Sequence, residues 1–329
     1  MGKLARTRIK GVKIGHAQDA DALTGVTVIA FEGGAAASLD ARGSSPGTRE
    51  TELLRPGKTV ERVHAIVLSG GSAYGLDAAG GVMKYLEERG IGVAVGDVRV
   101  PIVPQAIIFD LGIGNPGVRP DFKMGYQACQ SLSEQFELGN YGAGCGATVG
   151  KIMGPQNSMK SGIGYHEMNF DNGLQVGALI CVNAVGDVFD ETGIIAGALN
   201  PDGGFADTAG IILGGVDARE FMNGNTTIGC VITNAKLDKA LCQKVSEVAH
   251  NGLAQSISPI HTSMDGDLIF TAATGEIQCS IDQVCIAAQT AVRNAVISAV
   301  KNARSAGGIK SIRDISAADA YPDSGYRLQ

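Results

Sequence analysis

The stretch NGNTTIGCVITNA, residues 223–235, places a turn, two threonines and an apolar run in direct succession. Gly224 and Asn225 are turn-forming residues, and the β-branched run after them predicts a buried strand. A threonine can also be a nucleophile when it is the first residue of a chain, because its own α-amine then takes the hydroxyl proton. Inside a sequence, such a residue arises only when the bond before it is cut. The stretch is therefore either a turn into a strand or a turn at which the chain is severed, and turn chemistry alone favours the first.

Further strands and helices can be predicted outward from this stretch. Buried strands are predicted for the short β-branched runs at 26–31, 64–69, 179–185, 227–233 and 268–274. Helical periodicity covers 72–90, with Gly90 as a stop, and two stretches that begin near Leu237 and Ile281. The apolar faces of the latter two consist of Leu237, Leu241, Val245 and Val248, and of Ile281, Val284, Ala288, Val292, Ala295 and Ala299. Strands and helices cluster in pairs without a linker, which predicts a layered α/β sandwich in one domain, 1–329.

The composition limits the classes of function. The chain has 329 residues, of which 44% are hydrophobic and 18% charged, as is typical of a packed globular protein. A net charge of −6 without a basic block argues against nucleic acid as a partner. No apolar run approaches the ~18 residues of a membrane span and no secretory signal is found, so neither a membrane nor export is expected. The seven scattered cysteines are typical of core residues in a reducing cytoplasm.

Three known motifs nearly match the sequence and fail at a residue that their mechanism needs. GIGNPG (112–117) has the glycine spacing of a dinucleotide site, but Pro116 opposes the helix that must begin there. CGATVGKI (145–152) lacks the first glycine and the final Ser or Thr of a phosphate-binding loop. GGSAY (70–74) carries Tyr74 where the hydrolase nucleophile elbow ends in glycine. None of the three therefore predicts a cofactor site.

The five histidines do not predict a metal site. None of them has a spacing that would bring two ligands together on one element. Each is expected to be structural, although His261 stands out because it precedes two acids, Asp265 and Asp267. We therefore expect neither a metal nor a cofactor.

Six segments, spread over most of the chain, carry a family resemblance in their order. They are SLDARGSSPGTRETELL (38–54), LSGGSAYGLDAAGGVMKYLEE (68–88), GAGCGATVGK (142–151), CVNAVGDV (181–188), GNTTIGCVITNA (224–235) and IHTSMDGDLIFTAAT (260–274). Together they resemble the self-processing N-terminal-nucleophile amidohydrolases that include the L-aminopeptidase/D-esterases, the β-peptidyl aminopeptidases and the nylon-oligomer hydrolases. The resemblance is greatest to the nylon-oligomer (6-aminohexanoate oligomer) hydrolases and the aminopeptidase-like proteins around them.

The resemblance implies a cut in front of the nucleophile. In this sequence the corresponding bond joins Asn225 to Thr226, which divides the chain into an α fragment, 1–225, and a β fragment, 226–329. Thr226 would then attack an amide carbonyl, with its own amine as base. Thr227 is the alternative nucleophile, but the family motif places the nucleophile directly after Gly-Asn. No metal or cofactor is required by this scheme.

The resemblance also assigns roles to four polar residues. Lys151, at the end of GAGCGATVGK, corresponds to a lysine that approaches the nucleophile. Asn183 corresponds to an asparagine whose amide donates to the developing oxyanion. Asp265 and Asp267 correspond to an acid pair that keeps the proton balance of the site and holds Lys151 in place. From burial statistics and turn chemistry alone, these would instead be a surface lysine and turn residues.

The chain departs from the nylon-oligomer hydrolases at one position. Within AIIFDL (106–111), Phe109 stands where those enzymes have a tyrosine, so the phenolic donor is missing. We expect Phe109, together with Tyr74, to bind substrate.

The fold and assembly implied by the resemblance are a four-layer αββα sandwich and a homo-oligomer, such as a tetramer of αβ units. The substrate would be a small amide or peptide. Two alternatives remain: a non-catalytic, uncleaved homologue that acts as an assembly protein, and an ester or β-lactam hydrolase on the same site.

Overall fold

The computed structural model describes residues 2–201, 203–216 and 224–315. The α-helices are α1 (Ala78–Glu87), α2 (Phe122–Gln130), α3 (Thr208–Leu213), α4 (Lys239–Ala254) and α5 (Ile281–Asn302). The strands are β1 (Leu4–Arg6), β2 (Val12–Asp19), β3 (Thr24–Ala41), β4 (Thr48–Arg49), β5 (Val63–Ser69), β6 (Val93–Val95), β7 (Val98–Val100), β8 (Gln105–Ile107), β9 (Gln135–Glu137), β10 (Thr148–Val149), β11 (Met159–Lys160), β12 (Ile163–Asn169), β13 (Gln175–Cys181), β14 (Asp187–Asp190), β15 (Gly193–Ala196), β16 (Ile228–Ala235), β17 (Ile257–Ser258) and β18 (Leu268–Ile277).

The long strand β3 belongs to two sheets. Its first half pairs with β2 and β5, and the sheet continues through β8 to β4. Its second half, Ala36–Ala41, pairs with β18, and this second sheet continues through β16 and β13 to β12. The pairings β5–β8 and β16–β18 are parallel, whereas the others in the two sheets are antiparallel. One continuous strand thus connects both layers.

Alternation along the strands places three apolar cores between four layers. Ile29 of the first sheet and Cys230 of the second lie in the same buried cluster, so the inner faces of the two sheets pack on each other. Val28 points the opposite way, towards α1 and α2. Val231 likewise points outward, towards α4 and α5. The order helix, sheet, sheet, helix confirms the predicted αββα sandwich.

The predicted face of the last helix is correct and that of α4 is shifted. In α5 the alanine-rich stripe, including Ala288 and Ala295, is buried as predicted. Helix α4 begins at Lys239 because the Asp238 side chain accepts a hydrogen bond from the Leu241 N–H. Leu241 is exposed, and the buried face consists of Cys242, Val245, Ala249 and Leu253. The predicted face is shifted because Leu237 precedes the Asp238 cap and is not a helix residue.

One strand boundary matters for the site. The run 179–185 was predicted as a strand, but β13 ends at Cys181. Residues 182–185 leave the sheet as a buried loop, so Asn183 is not a strand residue. The other four predicted strands match β3, β5, β16 and β18, of which β3 is much longer than 26–31. At 72–90, a 3-10 turn precedes α1, and Gly90 follows with a φ of 66°.

Six of the cysteines are buried free thiols, and Cys279 is half-buried. Over the described ranges, no helix is long and apolar enough to cross a bilayer. The same residues contain no group of three His, Cys, Asp or Glu side chains placed to hold a metal ion.

Candidate active site

The nucleophile candidate and the acid pair lie side by side because two parallel strands begin together. Thr226 lies two residues before the start of β16, and Asp265 and Asp267 lie three residues and one residue before β18. These strands are neighbours, with Ile228 opposite Leu268. Three residues earlier in both segments, a parallel bridge pairs Asn225 with Asp265. The register of the sheet therefore brings the stretches GNTT and MDGD into contact.

The Asn225 carbonyl is held at its oxygen by two donors. The main-chain N–H of Gly266 donates to it across 2.9 Å, and the Thr226 hydroxyl Oγ1 is also within hydrogen-bonding distance. A Cβ added at Gly266 would lie 2.9 Å from Thr226 Oγ1 and 2.6 Å from the Ser45 carbonyl oxygen. Glycine is therefore needed at 266 for the main chain to come this close to the hydroxyl. Thr226 itself is 4% exposed.

Lys151 and Thr226 converge on one carbonyl oxygen. The Thr226 N–H donates to the main-chain oxygen of Asn183 across 3.0 Å. The Lys151 ammonium Nζ donates to the same oxygen at 3.0 Å and to the Asn183 side-chain Oδ1 at 2.7 Å. Burial lowers the pKa of Lys151 to about 7, opposed by the nearby charge of Asp265. At neutral pH a large fraction of this amine is unprotonated and able to act as a base.

Asn183 is fixed by contacts on both ends of its side-chain amide. Its Oδ1 accepts from the Thr148 N–H at 3.1 Å in addition to Lys151. Its Nδ2 donates to the main-chain oxygen of Phe109 at 3.0 Å. A side-chain amide has two N–H groups, so one of them is used in this contact. The side chain thus ties three segments of the site together.

The two acids have different surroundings. Asp267 accepts from the Thr227 N–H at 2.6 Å with one oxygen, and from the His261 N–H and Nδ1 at 3.0 and 2.9 Å with the other. Asp265 accepts from the Thr262 N–H at 2.7 Å, while its Oδ1 has no hydrogen-bond partner among the described residues. Burial, together with the charge of Asp267, raises the pKa of Asp265 to about 6.

A pocket opens beside Lys151. Its walls are mostly apolar, and it is lined by Phe109, Asp110, Gly112, Ile113, Gly146, Thr148, Lys151, Pro155 and Ser158. Phe109 is half-buried, and a Cβ on Gly224 would collide with its ring. Tyr74 is not among the lining residues; it is exposed, with the guanidinium of Arg119 stacked 3.7 Å from its ring centroid. Its predicted role in substrate binding stays a prediction.

The structure brings together five of the residues that the sequence singled out for catalysis: Thr226, Lys151, Asn183, Asp265 and Asp267. Two contacts at this candidate site are not predicted by the sequence. The MDGD sequence gave no sign that the Gly266 N–H faces the Asn225 carbonyl, because a main-chain donor has no residue code. His261 was marked by its position before the acids, but its contact with Asp267 was not foreseen.

The fold is shared with solved structures of aminopeptidases. The β-aminopeptidase of Burkholderia sp. superimposes with a TM-score of 0.68 at 19% identity, covering 100% of this chain and 97% of that one. The L-aminopeptidase D-Ala-esterase/amidase of Ochrobactrum anthropi, described as a variant of the Ntn-hydrolase fold, gives a TM-score of 0.67 at 15% identity over 90% and 85% of the chains.

Sequence comparison gives the family. The model of peptidase family S58 matches residues 5–313. An uncharacterised aminopeptidase of Mycobacterium leprae is 39% identical, covering 92% of this chain and 91% of its own. The 6-aminohexanoate-oligomer endohydrolase of Kocuria sp. is 30% identical, covering 81% and 74%. The chain belongs to peptidase family S58 and is a hydrolase of the peptidase and amidase class.

Proposed function

We propose that the chain cuts itself between Asn225 and Thr226 and that Thr226, as the first residue of the 226–329 fragment, then hydrolyses small linear amides or peptides. The main support for this proposal is that the Asn225 carbonyl oxygen accepts two hydrogen bonds, one from Thr226 Oγ1 and one from the Gly266 N–H. Attack on a carbonyl needs a hydroxyl beside it and a donor for the oxygen that becomes negative. Both groups are in contact with this one carbonyl.

In the proposed self-cleavage, Thr226 Oγ1 forms a bond to the Asn225 carbonyl carbon and the C–N bond between the two residues breaks. The hydroxyl proton passes to a base and then to the leaving nitrogen, which becomes the α-amine of Thr226. Water hydrolyses the resulting ester and releases Asn225 as a carboxylate. We assign Lys151 as the base, because burial lowers its pKa to about 7 and it shares the Asn183 oxygen with the Thr226 nitrogen.

In the proposed turnover, the same hydroxyl attacks a substrate amide. The α-amine of Thr226 takes the hydroxyl proton and returns it to the leaving amine, and water then releases the acyl group from the threonine. The substrate carbonyl would occupy the place that the Asn225 carbonyl has before the cut, since one hydroxyl attacks both. The Gly266 N–H and the second N–H of Asn183 are the donors that we assign to its oxyanion.

Pocket shape and relatives support a small acyl group. The pocket beside Lys151 is narrow and bounded by apolar groups of Phe109, Ile113 and Pro155. The relatives named as an aminopeptidase and a 6-aminohexanoate-oligomer endohydrolase act at linear amides by their names. We therefore propose short peptides, amino-acid amides or ω-amino-acid oligomers as the substrate class.

We also propose that the processed αβ units assemble into a homo-oligomer in the cytoplasm. Apolar side chains lie exposed on the β6–β7 hairpin, where Val95 and Val98 are each 57% exposed, and on α5, where Ile286 is 65% exposed. Such groups are commonly covered in an assembly. Light scattering on the purified protein gives the mass of the particle and tests this part.

The test of the main proposal is intact mass and N-terminal sequencing. The wild-type protein should give two fragments, the smaller beginning Thr-Thr-Ile-Gly-Cys, and Thr226→Ala should remain whole and inactive. Thr226→Ser, which keeps a hydroxyl, should still be cut. A Thr226→Ala protein that splits at the same bond would refute the assignment. Amino-acid anilides, β-peptides and 6-aminohexanoate oligomers then form the substrate panel for the processed protein.

A further inference from the structure

His261 contacts Asp267 through two donors at once. Its main-chain N–H and its ring Nδ1 lie 3.0 and 2.9 Å from the same carboxylate oxygen, Oδ2. The other oxygen, Oδ1, accepts from the Thr227 N–H at 2.6 Å. A carboxylate can only accept, so the ring carries its proton on Nδ1. Three N–H groups therefore fix a carboxylate that is 0% exposed, directly beside the nucleophile candidate.

The conformation of His261 is energetically unfavourable in two respects. Its φ is 60°, in the left-handed region that residues with a side chain disfavour. Its ring nitrogen Nε2 is buried and has no hydrogen-bond partner among the described residues. Backbone strain of this kind persists where the surrounding structure imposes it, and it is concentrated at functional sites.

A second histidine, His250, packs against the ring of His261. His250 on α4 packs edge-on against His261, with ring centroids 4.8 Å apart and an interplanar angle of 68°. Its Nε2 lies 3.0 Å from the carbonyl oxygen of Asp40, so that nitrogen also carries a proton. Burial lowers the pKa of His250 to about 4, so the ring is neutral at neutral pH. His261 is thus held between the Asp267 carboxylate and a neutral aromatic wall.

We propose that His261 is a positioning residue for the reaction: it fixes the Asp267 carboxylate, which in turn fixes the Thr227 main chain and, with it, the hydroxyl of Thr226. This inference rests on the proposed function. Rotation of the carboxylate would release the Thr227 N–H, and misplacing a nucleophile by about 1 Å can cost on the order of 100-fold in rate. His261 touches no reacting atom in this scheme and acts through Asp267.

Two substitutions at position 261 separate the effect of the ring donor from the effect of the backbone conformation. Asn tolerates a positive φ, and its side-chain N–H can replace Nδ1, so His261→Asn should stay within about threefold of wild type. Gly suits the backbone better than His does but removes the ring donor. His261→Gly should lower both the rate of self-cleavage and the kcat of processed enzyme by about tenfold or more, with KM changed less than about twofold. Loss in the Gly variant and rescue in the Asn variant distinguish positioning from mere packing.

Matched controls lie elsewhere in the chain. His166 on β12 is half-buried and contacts Asn294, so His166→Asn repeats the change away from the site. Glu50 is exposed with a φ of 56°, so Glu50→Gly repeats the removal of a side chain at a positive φ. Both controls should process and turn over at wild-type rates.

A double-mutant cycle gives the decisive measurement. Self-cleavage is followed by the appearance of the 226–329 fragment during cell-free synthesis, which works for variants that process slowly. If His261 acts through Asp267, then His261→Gly should cost little in an Asp267→Ala background. Wild-type rates for His261→Gly, or losses that multiply in the double variant, would overturn the inference. Cutting of Thr226→Ala at the same bond would instead overturn the proposed function, so the two failures are distinguishable.

Discussion

Lys151 and Thr226 donate to the same atom, the main-chain oxygen of Asn183, each across 3.0 Å. In the uncut chain the Thr226 group is an amide N–H. After the proposed cut it becomes an α-amine that shares this oxygen with the lysine. Two amines this close disfavour being charged together, and burial already lowers the pKa of Lys151 to about 7. The arrangement therefore favours a neutral amine at the nucleophile, as a base must be.

Self-cleavage should depend on pH through Lys151. Its lowered pKa of about 7 means that the neutral form grows as pH rises through 7 and is complete above it. The rate of fragment formation should rise about tenfold per unit below pH 7 and level off above. Lys151→Ala should lose this dependence and slow both self-cleavage and turnover by at least about a hundredfold. Lys301→Ala is the control, because Lys301 lies on the surface, whereas Lys160 is buried and its removal would disturb the core. A Lys151→Ala protein with near-normal turnover would reduce this lysine to a structural role.

Turnover should fall on the acid side through Asp265. Its raised pKa of about 6 means that the carboxylate takes a proton as pH falls through 6, and its charge opposite Lys151 is then lost. We expect kcat of processed enzyme to decline below about pH 6 beyond the decline that protonation of the Thr226 α-amine causes, and Asp265→Asn to lack this additional decline. His250 cannot supply it, because burial holds its pKa at about 4. An unchanged additional decline in Asp265→Asn would assign it to another group.

The close approach at Gly266 should tolerate no side chain. A Cβ there would lie 2.9 Å from Thr226 Oγ1 and 2.6 Å from the Ser45 main-chain oxygen, so Gly266→Ala should displace the hydroxyl and shift the adjoining main chain. We expect self-cleavage and kcat to drop by about tenfold or more. Gly33→Ala, where a Cβ meets nothing within 4 Å, is the matched control. Equal rates for both variants would show that the contact is unimportant for chemistry.

Phe109→Tyr should raise activity on polar substrates. The ring lines the pocket beside Lys151, so a hydroxyl added to it can reach a substrate carbonyl. We expect kcat/KM to increase about three- to thirtyfold on a 6-aminohexanoate oligomer and less on a small apolar anilide. Phe122→Tyr, at an exposed ring, serves as the control. Equal mutant-to-parent ratios of kcat/KM on the two substrates would mean that residue 109 has a packing role and does not contact the substrate.

Residue patterns in the sequence predict which side chains are buried, whereas contacts that depend on backbone geometry are not predicted. β-Branched runs and helical periodicity predicted a layered α/β sandwich and the buried stripe of α5 because those patterns report burial directly, whereas the αββα order was implied by the family resemblance. The predicted strand at 179–185 is wrong beyond Cys181, since an apolar run continues into a buried loop that carries Asn183. The Gly266 donor depends on a strand register, and the His261 contact depends on a left-handed backbone. Neither contact can be predicted from the residue types alone.

The position of β16 has a consequence for the stability of the protein after the proposed cut. This strand lies between β13 of the proposed 1–225 fragment and β18 of the proposed 226–329 fragment, to which β16 also belongs. Strand β18 in turn pairs with β3 of the 1–225 fragment. Severing the bond before Thr226 would leave those ladders intact, so the second sheet would be built jointly from both pieces. Unfolding would then release two chains instead of one, and refolding would become a bimolecular encounter. The melting temperature of the processed protein should therefore rise with its concentration. The uncut Thr226→Ala chain lacks this contribution, so its melting temperature should depend less on concentration.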